Sequence, residues 1–278
     1  MKAPRFLLLT CLGATLVAAG PVSAQTAGTT APAQTTTPYE PKVGQPGKDV
    51  VWVPSPETTV EKMLDVAKVT PRDIVVDLGS GDGRNVIAAA KRGARGRGVE
   101  FNPDMVELSK RNAEKAGVAD KATFVQGDMF AADFSDATVL ALFLLPDNLS
   151  KLRDKFSALR PGTRIVANTF GIEGWTADET MTIEGDCTSW CTVLLYYVPA
   201  KVDGTWTTPQ GPMTLKQDAQ TVTGSVGTAS VESSKLRGDE LSFTAGGTEY
   251  RGRVNGNTIS GTAKSGGRET AWTATRQK

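Results

Sequence analysis

Histidine is absent from the whole 278-residue chain. This excludes imidazole general bases, His-containing metal centres and Ser-His-Asp triads before any motif is considered. A strong charge of either sign is also missing, because 31 Lys plus Arg face 30 Asp plus Glu for a net +1. A surface that tracks nucleic-acid phosphates needs a basic excess, so no nucleic-acid partner is expected. The one long apolar run, from Phe6 to Ala19, falls short of the ~20 residues that cross a bilayer. What remains, 39% hydrophobic and 22% charged residues, suffices for a sizeable core and is neither a disordered nor a membrane-embedded composition. The length fits two domains.

Lys2 and Arg5 precede the apolar run, and Val22-Ser23-Ala24 closes it with small residues suited to signal peptidase. Residues 1–24 are therefore expected to be a secretory signal peptide cut after Ala24, giving a periplasmic or extracellular protein with no stable membrane span. Its removal takes two basic residues and Cys11, leaving Cys187 and Cys191 as an even pair in an oxidising compartment. They flank Thr188-Ser189-Trp190 between two strand-like runs, where a disulfide would clamp a hairpin; free thiols are the alternative, and two sulfurs alone do not make a metal site. Residues 25–48, built from Thr, Pro, Ala, Gln and Gly, bury too little apolar surface to offset ordering entropy and are expected to be a disordered linker.

From 49 to 199, short β-branched runs alternate with amphipathic stretches, the pattern of helices packed on a mostly parallel sheet. Strands are expected at 74–77, 98–100, 122–125, 139–144 and 164–167, with helices at 56–68, 85–92, 103–116 and 147–159. Ser55 is a candidate N-cap for the first helix. Two further runs, 180–183 and 192–198, read as an antiparallel pair joined through the cysteine loop, which completes a seven-stranded sheet. From 202 to 278 the composition changes to 12 Gly and 14 Thr, with short alternating runs punctuated by turns such as Asn255-Gly256-Asn257. A small antiparallel meander or barrel is expected there. Gly204-Thr205-Trp206 at its start and Trp272 with Arg276 at its end resemble the first and last strands of lipocalin-like barrels, in which an Arg stacks over the indole.

The most informative stretch is IVVDLGSGDGR, Ile74 to Arg84. A buried strand enters a loop in which Gly79, Gly81 and Gly83 permit a tight turn and close backbone approach, and a helix follows whose free N–H groups face the loop. A dinucleotide fingerprint starting at Gly79 needs Gly or Ala at position 84, where Arg84 stands, and Asp77 would repel a diphosphate. A cationic ligand suits it better.

With VPSP before the first helix, VVDLGSGDGR, GVEFNPDMVE and FVQGDMF, the stretch from Trp52 to about Trp175 resembles a class I S-adenosylmethionine-dependent methyltransferase. Within that class it is similar to the group containing the lysine methyltransferase of the mitochondrial ATP synthase c ring protein and its bacterial relatives. The resemblance implies a Rossmann-like fold and S-adenosyl-L-methionine as cofactor. Asp77, Gly79, Ser80, Gly81 and Gly83 would surround the amino-acid end of that cofactor. Glu100 beside Phe101 would take the ribose hydroxyls, and Asp128 beside Met129 the adenine amino group. Each acid alone reads better as a helix cap, a loop acid or a surface charge; in this order, at three strand ends, they converge on one crevice. Where several amine methyltransferases carry Asn or Asp followed by Pro-Pro and an aromatic, this chain has Leu144-Leu145-Pro146-Asp147-Asn148. Pro146 and Asp147 are the catalytic candidates, Asp147 orienting the amine proton or else capping the next helix. By the same resemblance Trp52 to Pro56 would fold over the cofactor mouth. The implied acceptor is a protein or small amine, lysine above all; the alternative is a non-catalytic envelope binding protein that keeps a methyltransferase-like pocket.

Overall fold

The computed structural model describes Met1 and residues 39–185 and 187–277. The expected signal peptide and most of the expected linker lie outside the described residues. The elements run α1 (Glu57–Val66), β1 (Ile74–Leu78), α2 (Arg84–Lys91), β2 (Arg95–Glu100), α3 (Pro103–Lys115), β3 (Ala122–Gln126), β4 (Val139–Leu142), α4 (Pro146–Ser157), β5 (Arg164–Asn168), β6 (Glu179–Thr182) and β7 (Thr192–Tyr197). Eight further strands follow: β8 (Gly204–Thr208), β9 (Gly211–Asp218), β10 (Thr221–Val226), β11 (Ala229–Arg237), β12 (Glu240–Ala245), β13 (Thr248–Asn255), β14 (Thr258–Ser265) and β15 (Arg268–Arg276).

The first seven strands form one sheet in the order β3-β2-β1-β4-β5-β7-β6, with β1 to β5 parallel and β7 antiparallel to both neighbours. Strand β1 is apolar on both faces because both are covered. Val75 joins Val139, Val166, Met63 and Leu64 on the face of α1 and α2, whereas Val76 and Leu78 join Leu140, Leu142, Leu152 and Phe156 on the face of α4. Strand order reverses at β1, between β2 and β4, so the loops leaving those strands part and open a crevice at their carboxyl ends. Helix α3 starts where Asn102 accepts a hydrogen bond from the Asp104 backbone N–H, with Pro103 in the first turn. Ser55 does not cap α1: Pro56 holds that position, and the Ser55 hydroxyl instead accepts from Asn168 Nδ2.

Strands β8 to β15 close into an antiparallel barrel, the last pairing with the first through Arg276 and Trp206. The barrel form is thus realised. Trp206, Trp272, Phe243 and Tyr250 fill its interior, and the last three have rings 4.8 to 6.1 Å apart. The Arg276 guanidinium stacks 4.3 Å from the Trp206 ring centre. Strand β11 departs from the alternating pattern expected of this region. Ser233 sits there at φ 49° within a register shift between Glu232 and Lys235, which breaks the alternation of inward and outward side chains. The barrel meets the sheet at the β6 edge. Arg237 lies 4.1 Å over the Tyr197 ring and bonds Glu179, and the Ala200 N–H donates to the Gly238 carbonyl at 2.7 Å. Among the described residues no helix is long and apolar enough to cross a membrane.

Candidate active site

A cavity of about 250 Å³ opens at the carboxyl ends of β1, β2 and β4. The glycines of the loop after β1 serve it in different ways. Gly79, at φ 72°, lines the cavity, and a Cβ there would meet Leu144 at 3.5 Å. Gly81, at φ 55°, leaves room for Trp52, whose indole nitrogen would lie 2.6 Å from an added Cβ. Gly83 caps α2 in the left-handed conformation with the Phe124 ring 2.7 Å from where a Cβ would stand, so it fits helix to sheet and does not line the cavity. Ser80 is also set back from the wall, 4% exposed, with a hydroxyl that has no hydrogen-bond partner.

The acids differ as well. Asp77 lies beneath the loop, 3% exposed, and accepts a 3.0 Å hydrogen bond from Asn85 Nδ2. Burial drives its carboxyl pKa well above the ordinary carboxylate range; the Asn85 bond opposes this, while repulsion from Glu100 and Asp82 adds to it. Glu100 lines the cavity and is fixed by two backbone donors, Gly81 N–H to Oε2 and Asn102 N–H to Oε1, each at 2.9 Å. Those bonds leave lone pairs free on both oxygens. Asp128 also lines the cavity, where the Phe130 backbone N–H at 2.9 Å and the Lys48 ammonium at 3.2 Å hold its pKa below the ordinary range. Phe101 and Met129 are also on the wall.

Lys48 belongs to a segment that the sequence assigned to the linker. Tyr39 to Lys48 is instead ordered by contacts. The Gly44 N–H donates to the Trp52 carbonyl and the Trp52 N–H to the Gln45 carbonyl, Pro46 bridges Val51, and Gln45 Nε2 donates to the Tyr39 hydroxyl at 2.6 Å. Residues 45–53 roof the cavity. The expected cover by Trp52 to Pro56 therefore begins earlier, at Gln45. Arg84 ties this strap to the loop, donating to the Ser55 carbonyl while paired with Asp82.

The opposite end of the cavity is aromatic. Phe143 follows β4, Phe170 follows β5 and Trp190 precedes β7. These strands are sheet neighbours and β7 runs the other way, so all three rings arrive at the same end. Their centres lie 6.2 Å (Phe143 to Phe170), 5.4 Å (Phe143 to Trp190) and 5.7 Å (Phe170 to Trp190) apart. Trp190 sits in the loop closed by the Cys187–Cys191 disulfide. None of the three was a candidate from sequence, because residues of three separate loops meet only through strand order. Pro146 and Asp147 form the exposed first turn of α4 and are not on the cavity wall, which reaches only Leu145. Asp147 is also not the helix cap, which is Leu145.

Residues 77–179 match the family model described as the ANTKMT methyltransferase domain. The chain is 43% identical over 152 residues to the protein-lysine N-methyltransferase of Saccharolobus islandicus (strain REY15A), covering 54% of this chain and 94% of that protein. It belongs to this methyltransferase family. With the adenine nucleotide translocase lysine N-methyltransferase of Mus musculus it shares 35% identity over 128 residues, 45% of this chain and 56% of the mouse protein. A solved structure titled RNA methyltransferase, from Salinibacter ruber in complex with S-adenosyl-L-homocysteine, is 47% identical with a TM-score of 0.50, covering 54% of this chain and 96% of that one. The chain is thus an S-adenosyl-L-methionine-dependent methyltransferase, and the crevice at the strand reversal is where that fold binds nucleosides.

Proposed function

We propose that the protein is an exported enzyme that methylates lysine side chains of proteins. The aromatic wall of Phe143, Phe170 and Trp190 carries this reading: acids line the cavity beneath the strap, while three rings gather at the end where an acceptor enters. Aromatic faces attract the arriving ammonium, and its removal from water then disfavours the charged form relative to the neutral amine.

The residues fit the cofactor. Glu100 has acceptor capacity left for the ribose hydroxyls, and Asp128 can exchange its Lys48 partner for the adenine amino group. Val99, Phe101 and Met129 offer apolar contact to the base. The buried Asp77, whose charged form a nearby cation favours, suits the amino-acid end, whereas the Ser80 hydroxyl is turned towards Gly98 and Phe124. When bound, S-adenosyl-L-methionine supplies an electrophilic methyl group on a sulfonium. The chain's own work is alignment and exclusion of water: the strap covers one side, and the rings hold the amine in line. With no histidine present, no imidazole takes the amine proton, which is lost to solvent before the acceptor is enclosed.

The names of the archaeal and mouse relatives support lysine as acceptor, whereas the Salinibacter title points to RNA. Incubating the mature protein with methyl-labelled S-adenosyl-L-methionine and either envelope protein or total RNA separates the two. Label recovered as methyl-lysine after acid hydrolysis is expected; label in RNA alone overturns the acceptor assignment. Export is supported by the Lys2 to Ala24 pattern and by the disulfide, since such bonds persist in oxidising compartments. Sequencing the N-terminus of protein recovered from the envelope fraction is expected to start at Gln25, and a cytoplasmic chain retaining Met1 would refute it.

A further inference from the structure

The loop between β6 and β7 brings Trp190 to the cavity wall and is closed by a disulfide. The Cys187–Cys191 bridge spans four residues of sequence, with Cα atoms 5.8 Å apart. Inside that ring Trp190 adopts φ 60°, a left-handed conformation that a bulky aromatic residue rarely takes. Its carbonyl accepts a 3.2 Å hydrogen bond from the hydroxyl of Thr59, a fully buried residue of α1. The Cys191 carbonyl accepts from the Ile183 N–H at 2.8 Å, which closes the hairpin below the bridge. Three restraints therefore hold the backbone around Trp190, whose indole joins the aromatic wall tilted at 59° to Phe143 and 54° to Phe170.

Phe143 and Phe170 need no such help, because each closely follows a central parallel strand. Trp190 is on a hairpin at the sheet edge, where a left-handed backbone would relax if released. Without the bridge, what holds Trp190 to the wall is its ring contact with Phe143 and Phe170 and the Thr59 bond to its carbonyl.

We propose that Trp190 is the acceptor-positioning residue, and that the Cys187–Cys191 disulfide holds it in place, so that the oxidised protein presents a three-ring wall to the acceptor amine and the reduced protein a two-ring one. This rests on the amine-methyltransferase reading. Reduction by a dithiol transfers two electrons and two protons to the cystine: the sulfur–sulfur bond breaks, two thiols form, and the dithiol is oxidised to its own disulfide. The loop then relaxes, and affinity for the acceptor falls while affinity for the nucleoside, held by Glu100 and Asp128 at the other end, stays.

The test uses the mature protein saturated with S-adenosyl-L-homocysteine and n-butylammonium as a probe of the acceptor end, with binding measured by calorimetry. The parent is expected to bind the probe, Trp190→Ala to lose at least tenfold in affinity, and Trp190→Phe to recover to within about threefold. The double variant Cys187→Ser/Cys191→Ser is expected to match the parent treated with dithiothreitol and to be indifferent to it. S-adenosyl-L-homocysteine affinity is expected to stay within twofold throughout, which also reports that each variant is folded. Equal probe binding by parent and Trp190→Ala, no probe binding by the parent, or loss of nucleoside and probe affinity together would overturn the role of Trp190. Full probe affinity in the reduced parent would overturn the role of the disulfide. A parent that binds the probe as expected but transfers no methyl group to lysine would instead overturn the proposed function.

Discussion

The sheet and the barrel answer the same folding problem in opposite ways. Among the described residues, the buried polar side chains Ser55, Thr59, Asp73, Asp77, Ser80, Asn85, Ser109, Asn148, Thr163 and Asn168 all belong to the α/β region, and Thr208 alone belongs to the barrel. Burying a polar group costs stability unless it is well bonded: Asp73, before β1, is bonded by Thr70, Thr138 and Arg164, whereas Ser80, in the loop after β1, has no hydroxyl partner. The barrel fills its interior with Trp206, Trp272, Phe243 and Tyr250. Function concentrates where the fold tolerates imperfect burial, and the barrel acts as a brace, gripping β6 through Arg237 and Glu179. The contrast predicts that mutations in the two regions separate stability from binding in opposite senses.

The largest effect is expected in the barrel. Trp206 is fully buried, donates its indole N–H to the Val202 carbonyl at 2.9 Å and carries Arg276 on its face. Trp206→Ala removes the packing, the bond and the stacked cation together, and about 3–5 kcal/mol of stability is expected to go in a denaturant titration. Calorimetric affinity for S-adenosyl-L-homocysteine in native buffer is expected to change less than twofold. A parallel fall in affinity would show that the barrel shapes the crevice and is not merely a brace.

Asp77→Asn tests the other side of the comparison. The folded-state pKa of Asp77 is raised by burial, so the folded and unfolded chains are equally protonated well below the unfolded value of about 3.9. As pH rises past that value, the unfolded chain ionises first and the native state loses stability, until the folded pKa is passed. An amide keeps the acceptor that Asn85 needs and never ionises. Asp77→Asn is therefore expected to melt higher than the parent at neutral pH, with the gap closing as pH falls towards 4. Its cofactor binding is expected to weaken by about 1.5–3 kcal/mol, the contribution of a charged hydrogen bond, or roughly ten- to a hundredfold. A variant that is both more stable and an equally good binder would remove Asp77 from the cofactor site.

How much of this was readable from sequence follows the same division between local and distant causes. The glycine loop, Glu100 and Asp128 were legible because strand, turn and helix are consecutive there and each acid sits at its own strand end. The closing stack of Arg276 on Trp206 was legible for a similar reason, as a pair of short end motifs. The aromatic wall was not: Phe143, Phe170 and Trp190 are 47 residues apart from first to last, and only the neighbouring of β4, β5 and β7 unites them. Tyr39 to Lys48 misled because its composition is that of a tether, while its order comes from Trp52 packed against Gly81 and from Lys48 placed between two acids.

The smallest effect is expected at the residue that local reasoning favoured for catalysis. Asp147 stands in the first turn of α4, exposed and off the cavity wall, so its charge meets the helix N-terminus and not the acceptor. Asp147→Asn forfeits about 0.3–1 kcal/mol of that helix-end interaction. Turnover is expected to stay within twofold at all pH values, since no proton passes through the carboxyl. A tenfold loss of kcat with unchanged cofactor affinity, restored by Glu at the same position, would return Asp147 to the acceptor chemistry and would mean that the strand-end wall alone does not define the site.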